Sequence, residues 1–221
     1  LVPRLFHFIL GSVFIMAASD FARDRFNLDG KTKTMLVTLT VSMPVSLFLL
    51  STVKSDLPGA FFVFLGIRYL LERRFVLSGI YWGFAVGVKY FNGLALAVFL
   101  GILLLTEILK RRKKNTEPVR GILSLKTLIL LGLAVLVTVS PLLIKNTIYA
   151  GNPVFPFLSQ MEPFKAEYWD ASRFALMQGD VGKMFHSPTD VLKFPYTLSF
   201  DGLGFGGVTG AQFLIFLPFL L

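Results

Sequence analysis

The stretch that decides the fold is a long apolar run, FVLSGIYWGFAVGVKYFNGLALAVFLGILLLTEIL, which covers residues 75–109. As one continuous helix, these 35 residues would extend about 52 Å. The hydrocarbon core of a membrane is only about 30 Å thick, and a spanning helix needs about 20 mostly apolar residues. The run is therefore too long for one crossing of a membrane.

Basic residues on both sides of the run decide how it folds. Arg73-Arg74 precedes it, and the basic cluster 110–114 follows it. A single crossing would leave one of these groups outside, although Lys and Arg in short loops favour the cytoplasmic side. Asn92-Gly93, in the middle of the run, is a strong turn signal. The run therefore predicts a hairpin of two helices, 75–90 and 92–109, with both basic groups inside.

The rest of the chain has the composition of a helical membrane protein. Of its 221 residues, 54% are hydrophobic, and the charged residues lie mainly between apolar stretches. Soluble domains of this length carry more charge and shorter apolar runs. We therefore expect an all-α integral membrane protein in which residues 1–221 belong to one transmembrane domain. The expected spans are residues 5–21, 34–52, 57–72, 75–90, 92–109, 121–140 and 211–221.

The distribution of basic residues orients these spans. Alternating turns place twelve Lys and Arg residues on one side, against Lys54 and Lys89 in the short turns on the other. The positive-inside rule assigns the first side to the cytoplasm, which puts segment 141–210 outside. This segment holds six of the eleven prolines and many aromatic residues. Such a composition favours an ordered extracytoplasmic loop of short helices over a disordered tail.

Composition also excludes several classes of function. The net charge of +9 does not indicate a nucleic-acid partner, because the basic residues stand at the ends of apolar runs and not across a soluble face. The chain has no cysteine, which excludes disulfides, thiolate nucleophiles and cysteine-based metal sites within it. His7 and His186 are isolated and lack metal-ligand spacing. We assign no metal ligands and expect no redox cofactor, and a divalent metal remains compatible with the chain.

Three charged residues lie at the outer ends of the expected spans: Asp56, Lys89 and Lys145. Ionisable residues at membrane depth are costly and often mark function. Asp56 suits either the N-cap of a helix or a binding pocket, and the two roles are compatible. Lys89 is either a snorkelling interfacial lysine or a point charge for a phosphate. Lys145 is either an interfacial anchor or a second cation for the same phosphate.

Three motifs at these positions resemble a known family. They are SDLP (55–58) before Phe61-Phe62, GFAVGVKYFNG (83–93), and SPLLIKN (140–146) before GNPVFPF (151–157). In order and spacing, they resemble the GT-C superfamily of membrane glycosyltransferases, of the lipid A aminoarabinose transferase and protein O-mannosyltransferase type. The resemblance runs from about residue 5 to the end, and we expect the sequence to be truncated at both termini.

The resemblance implies a GT-C-type helical bundle that transfers a sugar, with inversion, from a polyprenyl-phosphate carrier. The implied acceptor is a hydroxyl of a lipid, glycan or protein at the extracytoplasmic face of a bacterial cell membrane. It further implies Lys89 and Lys145 as ligands of the lipid phosphate, Tyr90 and Asn146 as their surroundings, and Asp56 as a pocket acid. The family's catalytic base is an acidic residue of the first outer loop, which we expect to lie upstream of Leu1.

Two other classes of function remain open at this stage. A lipid or solute transporter, including a flippase, would carry broken helices and charges near the membrane midplane. A structural or assembly protein would give no reason for a cation at the tip of a hairpin. Charges collected at one face, below a long loop, fit interfacial catalysis better than either.

The orientation is tested with reporter fusions at Asn92 and Gln160 in the full-length protein. Both fusions should report an extracytoplasmic position, because both follow an odd number of crossings from the cytoplasmic basic turns. A cytoplasmic signal at Asn92 would contradict the hairpin.

Overall fold

The computed structural model describes residues 2–112, 124–159, 161–165 and 172–173. Within them the chain is helical and contains no strand, which confirms the expected α-helical class. Two helices, α1 and α7, are long and apolar enough to cross a membrane. The helices are α1 (Val2–Phe26), α2 (Gly30–Ser42), α3 (Pro44–Ser51), α4 (Asp56–Leu71), α5 (Phe75–Val88), α6 (Asn92–Arg112) and α7 (Leu125–Ala150).

The chain divides into two compact units. The first contains Leu1–Val53 and Thr147–Leu221, and the second contains Lys54–Asn146. Helices α1, α2 and α3 therefore belong to the first unit, whereas α4, α5, α6 and most of α7 build the second. The expected span 211–221 and most of the expected outer loop lie outside the described residues.

The expected hairpin is present in the second unit. Helix α5 ends at Val88 and α6 begins at Asn92, so three residues separate the two helices. The turn is closed by the backbone N–H of Asn92, which donates to the carbonyl of Lys89 at 3.0 Å, and by Gly93, which donates to Tyr90 at 2.9 Å. The break in the long apolar run therefore lies where the Asn-Gly signal predicted it.

Helix α5 is the centre of the second unit because its small residues admit neighbours on two faces. Against α4, the fully buried ring of Trp82 fills the space where Gly66 lacks a side chain. Ser78 donates to the carbonyl of Gly66 at 2.7 Å beside it. A methyl group on Gly66 would lie 2.7 Å from the indole nitrogen of Trp82, so this contact requires glycine.

Helix α5 contacts α7 through two glycines that lie one turn apart. A side chain at Gly79 would lie 2.6 Å from the backbone oxygen of Leu131 in α7. A side chain at Gly83 would meet Thr138 at 2.5 Å. Small residues at this spacing let two helix backbones approach closely, which is a common basis of helix packing in membranes. Gly87 continues the series but faces open space.

Helix α7 differs from the expected span 121–140 because it continues for ten residues beyond Ser140. Pro141 has no N–H, so it cannot bond the carbonyl of Val137 four residues earlier. The hydroxyl of Ser140 donates to that carbonyl at 2.8 Å instead. Serine side chains are known to replace backbone bonds lost to proline in membrane helices. Residues 141–150, expected at the start of the outer loop, are therefore helical, and the helix ends at Ala150.

The expected single span 34–52 is also wrong, because the chain breaks at Met43 into α2 and α3. Met43 is extended, with φ −65° and ψ 130°. Steric contact with the ring of Pro44 disfavours helical geometry in the preceding residue. Neither α2 nor α3 alone has the length of a spanning helix.

The turn between α1 and α2 is fixed by polar residues in the first unit. Asn27 adopts a left-handed conformation, with φ 52°, after the end of α1. Asp29 caps α2 by accepting from the backbone N–H of Thr32 at 2.8 Å. Hydrogen bonding by the side chain of Thr32, together with this backbone bond, lowers the pKa of Asp29 below its ordinary value. Lys33 pairs with Asp20 across the turn.

The segment after α7 is ordered around one buried amide. Gly151, with φ +65°, ends the helix, and Asn152 is fully buried. The amide nitrogen of Asn152 donates to the carbonyl of Phe157 at 2.6 Å, and its oxygen accepts from the N–H of Val154 at 3.0 Å. The described residues from 151 to 165 therefore form hydrogen-bonded turns where short helices were expected.

The packing of α5 on α7 is tested by adding a methyl group at a glycine inside the contact, Gly79, and at a glycine outside it, Gly87. Gly79→Ala should destabilise the full-length protein by about 1–3 kcal/mol, because a backbone carbonyl cannot move away from the new methyl group. Gly87→Ala, on the same helix, should leave stability unchanged or raise it by up to about 1 kcal/mol, since alanine favours helix. Thermal unfolding in detergent measures both. Equal effects of the two variants would contradict the packing.

Candidate functional site

Two of the three charged residues expected at the outer ends of the spans meet in the second unit. The ammonium group of Lys89, in the turn after α5, donates to Oδ1 of Asp56, the first residue of α4. The two side chains are 41% and 47% exposed, respectively. A pair this accessible contributes only about 0–1 kcal/mol to folding. The pair therefore contributes little to the stability of the second unit.

Asp56 does not have the N-cap role that its sequence position suggested. Ser55 occupies the cap position, and Asp56 lies one residue further into the first turn of α4. Its carboxylate accepts from Lys89. A negative charge in the first turn is still favourable next to the positive end of the helix dipole. The dipole and the ammonium therefore stabilise the same carboxylate.

Asn92, which the Asn-Gly signal placed in the turn, also holds that turn through its side chain. Its amide nitrogen donates to the carbonyl of Ala85 at 2.7 Å, which also accepts from the backbone N–H of Lys89 at 3.0 Å. The same amide lies against α4, where a side chain on Gly59 would approach it to 2.9 Å. Asn92 thus fixes the turn that carries Lys89 against the helix that carries Asp56.

A second polar contact connects the turn to α7. The amide nitrogen of Asn146 donates to the hydroxyl of Tyr90 at 2.6 Å. Burial raises the pKa of Tyr90 above its ordinary value, and the bond from Asn146 partly opposes this rise. Tyr90 therefore stays protonated at neutral pH. Asn146 was expected beyond the end of a span, but it lies within α7.

Lys145 is the candidate residue whose expected role finds least support. It lies within α7, next to Asn146, and its side chain is exposed. In the part of the chain that the structure describes, no hydrogen bond or ion pair joins Lys145 to Lys89 or Asp56. Asn146, the next residue in the chain, contacts Tyr90, which follows Lys89. Lys145 and Lys89 therefore lie at the same end of the second unit. A phosphate shared by the two lysines stays a prediction.

These contacts define the apex cluster: Asp56, Lys89, Tyr90, Asn92 and Asn146. It brings together the start of α4, the turn from α5 to α6, and α7. Arg68 and Glu72, which pair at 2.9 Å, mark the opposite end of α4. The apex cluster offers one partly exposed ammonium, a phenol hydroxyl and amide groups, a set suited to an anionic oxygen ligand.

The described residues contain no cluster of side chains that could bind a metal ion. Among them, no three His, Asp or Glu side chains group together. An open groove of about 530 Å³ is lined by Lys31, Thr34, Met35 and neighbouring residues of α2. These residues all belong to one helix face of the first unit. The groove is thus a surface feature of α2, separate from the apex cluster.

Comparisons of the chain with protein-family models, with curated proteins and with solved structures find no match.

Proposed function

We propose that this chain is part of a membrane glycosyltransferase that uses a polyprenyl-phosphate sugar as donor, with the apex cluster as its phosphate-binding site. The observation that carries the proposal is the position of Lys89. It stands at the tip of a hairpin of apolar helices, oriented by Asp56 and still 41% exposed. The proposed site faces the extracytoplasmic side of a cell membrane.

The ammonium of Lys89 retains donors for a ligand. It carries three N–H groups, and Asp56 accepts from one of them. The remaining donors suit the oxygens of a phosphate, which bind lysine as a point charge. Exposed apolar residues follow this cation closely in the sequence, since Phe91 is 63% and Leu94 is 64% exposed. A cation beside exposed apolar groups matches a lipid phosphate better than a fully water-soluble one.

The proposed reaction is a substitution at the anomeric carbon of the sugar. An acceptor hydroxyl oxygen forms a bond to this carbon, and the bond between the carbon and the phosphate oxygen breaks. The bonding electrons pass to the phosphate, and the hydroxyl proton passes to a carboxylate that acts as general base. Lys89 stabilises the negative charge that grows on the leaving phosphate, so it binds the transition state more strongly than the ground state.

The remaining partners follow from the same proposal. The donor is a polyprenyl-phosphate-linked sugar, the surroundings are membrane lipids, and the acceptor is a lipid, glycan or protein. No step of the reaction as proposed passes through a metal or a redox cofactor.

A lipid or solute transporter is the second candidate function, and one observation favours it. Helices α2 and α3 are two halves of an apolar segment interrupted at Met43. Discontinuous helices of this kind build substrate sites in transporters. The described ion pair of the apex cluster lies in the other unit, however, and the break itself carries no charged residue.

The enzyme proposal is tested with the full-length protein and a polyprenyl-phosphate sugar in vesicles. Lys89→Ala should lower the rate of glycoside formation at least about hundredfold, the cost of removing one preorganised donor at a developing oxyanion. It should unfold at nearly the same temperature as the wild type, because the exposed pair adds little stability. Lys145→Ala should have a smaller effect in the same direction.

Lys126→Ala provides the matched control, since Lys126 is an exposed lysine at the other end of α7. It should leave the rate unchanged. A folded Lys89→Ala protein with normal transfer would remove Lys89 from the site. Movement of labelled substrate across vesicles without glycoside formation would instead support a transporter.

A further inference from the structure

The ion pair in the apex cluster places a negative charge beside the proposed phosphate site. Lys89 donates to Asp56, so a phosphate bound by the same ammonium shares it with a carboxylate. Two acceptors on one ammonium group lie roughly 5 Å apart or less, given ordinary hydrogen-bond lengths. Lys89 would therefore attract the phosphate while Asp56 repels it. The strength of the repulsion depends on the charge of the phosphate.

We propose that Asp56 makes the apex cluster discriminate between phosphates by charge, favouring a phosphodiester over a phosphomonoester. This inference rests on the proposed function, in which the donor is a phosphodiester and the product is a prenyl phosphomonoester. A diester carries one negative charge, whereas a monoester carries about 1.5 to 2 at neutral pH. Asp56 repels the product more strongly than the donor, which speeds product release after each transfer.

The discrimination is separable from a simple positioning role of Asp56. If the carboxylate only oriented Lys89, its removal would weaken the binding of the monoester at least as much as that of the diester, because a cation attracts the higher charge more strongly. If the carboxylate repels charge, its removal raises the affinity for the monoester relative to the diester. The ratio cancels the contribution of the prenyl chain, which both ligands share, and the contribution of Lys145 to the ratio is the same in the wild type and in the variant.

The test measures the binding of farnesyl phosphate and of its methyl diester to the full-length protein in detergent. In Asp56→Asn, the affinity for the monoester relative to the diester should rise about tenfold, as expected for removing one charge at this separation. Asp56→Glu keeps the carboxylate and should keep the wild-type ratio. Glu72→Gln, which removes a paired carboxylate at the opposite end of α4, should also leave the ratio unchanged.

The possible outcomes separate the inference from the function on which it rests. An unchanged ratio in Asp56→Asn, with Lys89→Ala still weakening both ligands, would overturn the charge discrimination alone. No loss of binding in Lys89→Ala would overturn the phosphate site itself. If Asp56→Asn fails to fold, the inference is tested by the affinities of the wild-type protein for the monoester and the diester. Tenfold tighter binding of the monoester than of the diester by the wild type would contradict the inference.

Discussion

The second unit depends on the break in one long apolar run. A run of 35 residues cannot cross about 30 Å of hydrocarbon as a single helix. The chain folds back after Val88, and this turn carries Lys89 to the end of the second unit where α4 begins. Everything in the apex cluster follows from that turn, because Asp56, Asn92 and Asn146 reach it from the ends of three helices.

Two prolines show which parts of the fold could be predicted from the sequence. The hairpin was predictable because length, flanking charge and the Asn-Gly turn signal all agreed. Pro44 and Pro141 each stand inside an apolar run, yet the first divides a helix and the second does not. Before Pro141, Ser140 donates to the carbonyl that the proline leaves unbonded, whereas before Pro44 the backbone of Met43 is extended. A bond of this kind depends on local geometry, which periodicity and composition do not reveal.

In the candidate site, the sequence likewise identified individual residues but did not reveal which residues they contact. Asp56 and Lys89 were identified because charged residues are costly at membrane depth and because both lie at the ends of expected spans. Their pairing was not predictable, because they are separated by 33 residues and meet only once α4 packs on α5. The contact between Tyr90 and Asn146 spans 56 residues. It required α7 to continue past Pro141, and the sequence had predicted that the helix stops there.

The measurement that tests the central claim most directly is an experimental structure of the full-length protein with a polyprenyl phosphodiester bound. The account predicts a phosphate oxygen within about 3 Å of the Lys89 ammonium, at hydrogen-bond distance, with Asp56 on the other side of that ammonium. A phosphate held elsewhere, with the Lys89 side chain directed into lipid, would contradict it.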